Sequence, residues 1–125
     1  MIAQRNELMK QLPGYGWEIE LIETPAPSHC GPEWFIDELW VIESLWSPRG
    51  LKAYVTFVVD PQAEFERKKG QGVWAVKASL QRPSGWGIGE DEVGLTLGRG
   101  WEKRLTEFMK GLSVLRLRGK QYRER

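Results

Sequence analysis

Three tryptophans, Trp34, Trp40 and Trp46, recur at six-residue intervals. Side chains on a β-strand alternate between faces, so an even interval places all three indoles on the same side. Ile36 and Ile42 share that parity, while Phe35, Asp37, Leu39, Val41, Glu43 and Leu45 take the other. The run 34–46 is therefore predicted to be a long, largely buried strand carrying one apolar wall.

The flanking segments supply its neighbours. Ile2, Leu8, Met9 and Leu12 follow helical spacing, and Pro13, Gly14 and Gly16 stop that helix. Trp17, Ile19 and Leu21 alternate with Glu18 and Glu20, the period of a strand with one wet face. Residues 24–33 hold three prolines and a glycine and read as a loop. Ser47-Pro48-Arg49-Gly50 has Pro second and Gly fourth, the preferences of a type I turn, and is predicted to close a hairpin with a strand over 51–59. A charged link over 62–72 leads to a fourth strand over 73–80, and the glycine-rich stretch 85–100 reads as a long loop.

Trp101, Leu105, Phe108, Met109, Leu112 and Leu115 then fall at helical spacing, with Glu102, Lys103, Glu107 and Lys110 on the opposite side. Past Gly111 two readings stay open: the helix continues, or Leu115 and Leu117 belong to a short fifth strand. Residues 119–125 are expected to be a flexible basic tail. The order of elements implies an α+β fold: a mostly antiparallel sheet of four, or with that last segment five, strands, with an N-terminal and a C-terminal helix packed on one face. At 125 residues this is the size of a single domain with a self-sufficient core.

Charge is unevenly spread under a net of +1. Residues 1–60 carry four basic against nine acidic side chains, and residues 61–125 fourteen against eight. The two halves are complementary, which fits their meeting within the fold or leaving a dipolar surface. Seven tryptophans are the other unusual feature. Most are expected in the core, with one or two left on the surface, where aromatic rings serve binding.

Known catalytic and cofactor patterns do not assemble. His29 and Cys30 are the sole histidine and cysteine, adjacent in a proline-rich loop, whereas a thiol nucleophile needs a base facing it across a site. Two such ligands also fall short of the four that a structural zinc site requires. Glu90, Asp91 and Glu92 are consecutive, unlike the alternating ligands of a calcium loop. The glycines match neither dinucleotide nor P-loop spacing, and Gly119-Lys120 is followed by Gln121 where a P-loop has Ser or Thr. No cofactor or metal is expected. No run is long and apolar enough to span a bilayer, the N-terminus has no signal-peptide core, and a lone cysteine fits a reducing compartment, so the expectation is a cytoplasmic protein without a membrane partner.

Gly98-Arg99-Gly100 ahead of Trp101 combines a cation, open amides and a helix start, where an anion can bind. Arg99, Gly100, Lys103, Arg104, Arg116, Arg118 and Lys120 are the candidate anion or nucleic-acid contacts. Gly98, Gly100, Lys103 and Arg104 are similar to the corner of the double-stranded RNA-binding domain where a glycine-rich loop and paired lysines open the last helix. That resemblance implies phosphate binding. It is confined to the one corner: Glu102 precedes the basic pair, and the domain lacks a fourth strand. Abundant tryptophan without catalytic groups makes the leading expectation a small non-enzymatic module that binds another protein, or a second copy of itself, through a tryptophan-containing surface. RNA or DNA binding through residues 99–125 is the alternative.

Overall fold

The computed structural model describes residues 2–24, 36–60, 70–82 and 92–123. Trp34, His29, Cys30, the acidic pair Glu90 and Asp91, and most of the link over 62–72 lie outside them. The order of elements is α1 (Ile2–Gln11), a short 3-10 helix (Leu12–Tyr15), β1 (Trp17–Glu23), β2 (Ile36–Ser44), β3 (Lys52–Val59), β4 (Val73–Ser79), β5 (Glu92–Thr96) and α2 (Trp101–Arg123). The strands form one antiparallel sheet in the order β1-β2-β3-β4-β5. The fold is α+β, with the two helices on one face of the sheet.

Alternation along each strand sends one set of apolar side chains to that face. Trp40 and Ile42 of β2, Ala53, Val55 and Phe57 of β3, Val76 and Ala78 of β4 and Leu95 of β5 meet Leu8, Leu12, Leu105, Phe108, Met109, Leu112 and Leu115 in a single buried cluster. Trp40 and Phe57 pack with ring centroids 4.8 Å apart. On the far face Ile36, Leu39 and Val41 form a smaller buried cluster against Tyr54.

The predicted tryptophan wall is thus broken. A bulge between Ile36 and Glu38 puts Ile36 on the far face from Trp40, because an extra residue reverses side-chain parity. Trp46 lies beyond the end of β2 and is exposed. A second bulge, where Val59 pairs with Val73 and Val58 with Ala75, leaves Trp74 as the unpaired residue and turns it outward.

The 47–50 hairpin closes β2 onto β3 as predicted, but the turn is shifted by one residue. Leu51 N–H donates to Pro48 O, and Gly50, at φ +84°, occupies the third position, where a type II turn requires a positive φ.

The fifth strand is β5, inside the stretch read as a glycine-rich loop, and α2 runs unbroken through 115–118. The segment expected as a flexible basic tail is helical as far as Arg123, with Gly119 buried. Gly111 and Gly119 lie eight residues apart on the packed face, where the helix comes close to the sheet. A methyl group at Gly111 would stand 2.7 Å from Val93 Cγ1 and 3.1 Å from its Cβ, and one at Gly119 2.5 Å from a Leu51 Cδ.

Among the described residues one ion pair ties a helix to the sheet. Arg5 of α1 makes a bidentate bond to Glu38, buried at the start of β2, at 2.7 and 2.9 Å, with its guanidinium 5.4 Å from the Trp40 ring. That carboxylate raises the Arg5 pKa. A buried carboxylate needs such a partner, so the pair fixes where α1 sits on the sheet.

The helix-to-sheet contacts generate a test. Ala is favoured over Gly within a helix by about 1 kcal/mol, yet overpacking costs about 1–3 kcal/mol. Val93 is β-branched and strand-held, whereas Leu51 meets Gly119 with its mobile end. Gly111→Ala should therefore lower stability in denaturant unfolding, Gly119→Ala should cost less, and Val93→Ala should relieve the Gly111→Ala defect.

Candidate functional site

The end of the sheet where β1 starts and β2 finishes concentrates the unusual chemistry. Gly16, at φ +80°, ends the 3-10 helix by donating its N–H to Leu12 O and Pro13 O, then turns the chain into β1. Its carbonyl accepts from Leu45 N at 2.7 Å. The Trp46 ring lies directly on Gly16, so closely that a methyl group there would overlap the indole.

Arg116 of α2 reaches into this corner and is only 6% exposed. Its Nε donates to Ser44 Oγ at 2.8 Å, and Nη2 donates to Tyr15 O at 2.8 Å and Gly16 O at 3.0 Å. Its guanidinium lies 4.3 Å from the Trp17 ring and 5.0 Å from the Trp46 ring, so the cation sits between two indoles. Ser44 Oγ in turn donates to Trp46 O at 2.7 Å. Among the described residues no carboxylate pairs with Arg116, and burial lowers its pKa. A planar guanidinium suits this position because it donates in plane while offering flat faces to aromatic rings.

Trp46 is held on one side by Gly16 and Arg116 and remains 52% exposed. Leu45 beside it is 40% exposed. Of the other described tryptophans, Trp17 and Trp40 are buried, Trp101 is partly buried against the core, and Trp74 is 44% exposed, on β4 next to the edge strand β5.

The predicted anion-binding residues do not converge. Arg116 is committed to the corner just described. Arg104 donates to Thr96 O, Gly98 O and Arg99 O, using its fork to shape the loop into α2. Gly100, at φ +82°, makes the turn into that helix. Arg99, Lys103, Arg118 and Lys120 are exposed, but Lys103 and Lys120 are separated by about 25 Å of helix at 1.5 Å per residue. No group of three or more His, Cys, Asp or Glu side chains that could hold a metal occurs among the described residues. None of their helices is long and apolar enough to cross a membrane.

β1 forms one edge of the sheet. Glu18 and Glu23 share its far face with Leu21, and a bulge falls between Ile19 and Leu21. Glu20 pairs with Lys52 at 3.1 Å and raises its pKa. Arg82 makes a bidentate bond to Glu23 at 2.7 and 3.2 Å, with its guanidinium 5.3 Å from the Tyr54 ring. The Arg82 guanidinium holds the Glu23 carboxyl below its ordinary value.

Sequence reasoning missed Arg116 as a packing residue because it sits in a basic segment. Its helical phase was the available signal: it follows Leu112 by four residues and Met109 by seven, on the apolar stripe. No protein-family model, curated protein or solved structure matches this chain.

Replacing Arg116 with Met should destabilise the fold by at least about 2 kcal/mol, since it strips two buried carbonyls of a charged donor. Lys at the same position should not restore stability, lacking the planar fork. Unfolding by denaturant checks both. The Glu23–Arg82 pair is partly exposed and worth about 0.2–1 kcal/mol. Because Glu23 titrates lower when folded, that contribution is present above its unfolded pKa, about 4.3, and disappears as pH falls through the folded value. Glu23→Gln should remove this part of the acid dependence, measurable as converging stabilities of the two proteins at low pH.

Proposed function

We propose that this protein is a non-enzymatic, cytoplasmic interaction module that binds another protein through the surface around Trp46. The observation that carries the reading is an aromatic ring half in solvent and yet clamped by a buried guanidinium and a glycine. Large exposed aromatics held rigid lose little conformational entropy on binding and are the side chains that dominate interfaces. Leu45 extends the apolar area next to the ring. The basic residues 99–125 favour nucleic acid less, because Arg104 and Arg116 spend their donors inside the fold and the exposed cations are scattered along α2.

Selection of binders from a displayed peptide library tests the proposal. Binders should lose at least tenfold in affinity, about 1.4 kcal/mol, for Trp46→Ala, while Trp74→Ala leaves them unchanged. Binders indifferent to Trp46, or binding at low salt to RNA or DNA that is abolished by replacing Arg99 and Lys103, would overturn it.

A further inference from the structure

Two of the three guanidinium nitrogens of Arg116 are used inside the fold, Nε on Ser44 Oγ and Nη2 on Tyr15 O and Gly16 O. The third, Nη1, carries two N–H donors and gives neither to a described residue. It is not one of the described side-chain atoms sealed from solvent without a partner, so it reaches solvent within a guanidinium that lies 5.0 Å from the half-exposed Trp46 ring. The charge is uncompensated as well. Among the described residues no carboxylate meets Arg116, and burial, with no counter-charge to offset it, lowers its pKa. Glu18 and Glu43, next to Trp17 and Ser44 in the chain, face the opposite side of the sheet. Lys120 lies one helical turn beyond Arg116 on the same side of α2, is exposed, and makes no ion pair with a described residue.

We infer that the Trp46 corner takes a carboxylate, supplied by an Asp or Glu of the partner protein next to an apolar residue, with the carboxylate on Arg116 Nη1 and the apolar side chain on the indole. The inference rests on the protein-binding reading and names the chemistry of its partner. A cation held out of water without a counter-charge gains from an arriving anion, and a hydrogen bond between charged groups is about twice as strong as a neutral one. Sign and shape choose the ligand. One free nitrogen flanked by indoles suits a flat, singly charged carboxylate, whereas a nucleic acid needs a row of phosphate contacts and the exposed cations of α2 are scattered. A second copy fits less well: the acids beside its exposed Leu21 and Ile22 are Glu20 and Glu23, already held by Lys52 and Arg82. The field of Lys120 draws an acidic segment toward the corner.

The test uses the full chain, with isotope-labelled arginine and fluorinated tryptophan, and three probes: a heptapeptide alternating Leu and Glu, its Leu-Gln counterpart, and a thymidine oligonucleotide. The Arg116 guanidinium signals are assigned through their contacts with the Trp17 ring. At low salt the Leu-Glu peptide should shift the Arg116 signals and the Trp46 signal together. Its affinity should exceed that of the Leu-Gln peptide at least about tenfold and fall at high salt. Lys120→Glu, an exposed change outside the packed corner, should weaken it several-fold without altering stability. No binding by the Leu-Glu peptide would overturn the inference. Equal affinity of the Leu-Gln peptide, or a Trp46 shift with the Arg116 signals unmoved, would overturn it and leave the Trp46 surface standing. Arg116 signals that shift in a complex insensitive to Trp46→Ala would keep the carboxylate at Arg116 and remove the Trp46 reading. An oligonucleotide that moves the Arg116 signals as far as the Leu-Glu peptide does would overturn the inference in favour of nucleic acid.

Discussion

A single buried cation organises the end of this molecule that matters most. Taking a guanidinium out of water without a counter-charge is costly unless its donors and faces are satisfied. Arg116 meets that demand with a hydroxyl, two carbonyls and two indoles. Those partners belong to β2, the end of the 3-10 helix, β1 and the hairpin loop. One side chain of α2 thereby ties the last element of the chain to residues 15–17, 44 and 46. Disturbing it would release the Trp46 loop together with the close of α2.

Much of the architecture is legible in residue spacing, and its failures have local causes. The β2–β3 hairpin and the amphipathic face of α2 follow from strict periods of two and 3.6. The fifth strand was hidden by counting glycines: Val93, Leu95 and Leu97 alternate with Gly94 and Thr96, a strand pattern inside a glycine-rich stretch. Gly111 reads as a helix stop when judged by propensity, yet it is the site of close approach to Val93. A bulge defeated the parity argument for Ile36, and a second one turns Trp74 outward, because pairing across strands, not the local pattern, decides where an extra residue is absorbed. The roles of the candidate site residues were less legible. Arg104 and Arg116 look like phosphate ligands by residue type, and only the folded chain shows their donors pointed at backbone carbonyls.

The same corner that stabilises the fold leaves one indole facing solvent beside an acidic, partly apolar sheet edge. The uneven charge of the sequence has a corresponding meaning: the acidic first half contributes that edge, and two cations of the basic second half meet β1, Arg82 at Glu23 on the surface and Arg116 at Trp17 in the interior. The contacts that stabilise this corner also hold the Trp46 ring in place, and on the reading proposed above that leaves little conformational entropy to lose on binding.

The central claim is that Trp46 is both immobilised and half exposed. Fluorine NMR of protein labelled with 5-fluorotryptophan, with the Trp46 signal assigned by substitution, measures both properties at once. The account predicts a Trp46 resonance with a clear shift between light and heavy water and a linewidth like that of the core signals from Trp17 and Trp40. A narrow, motionally averaged line, or a signal with no solvent shift, would contradict it.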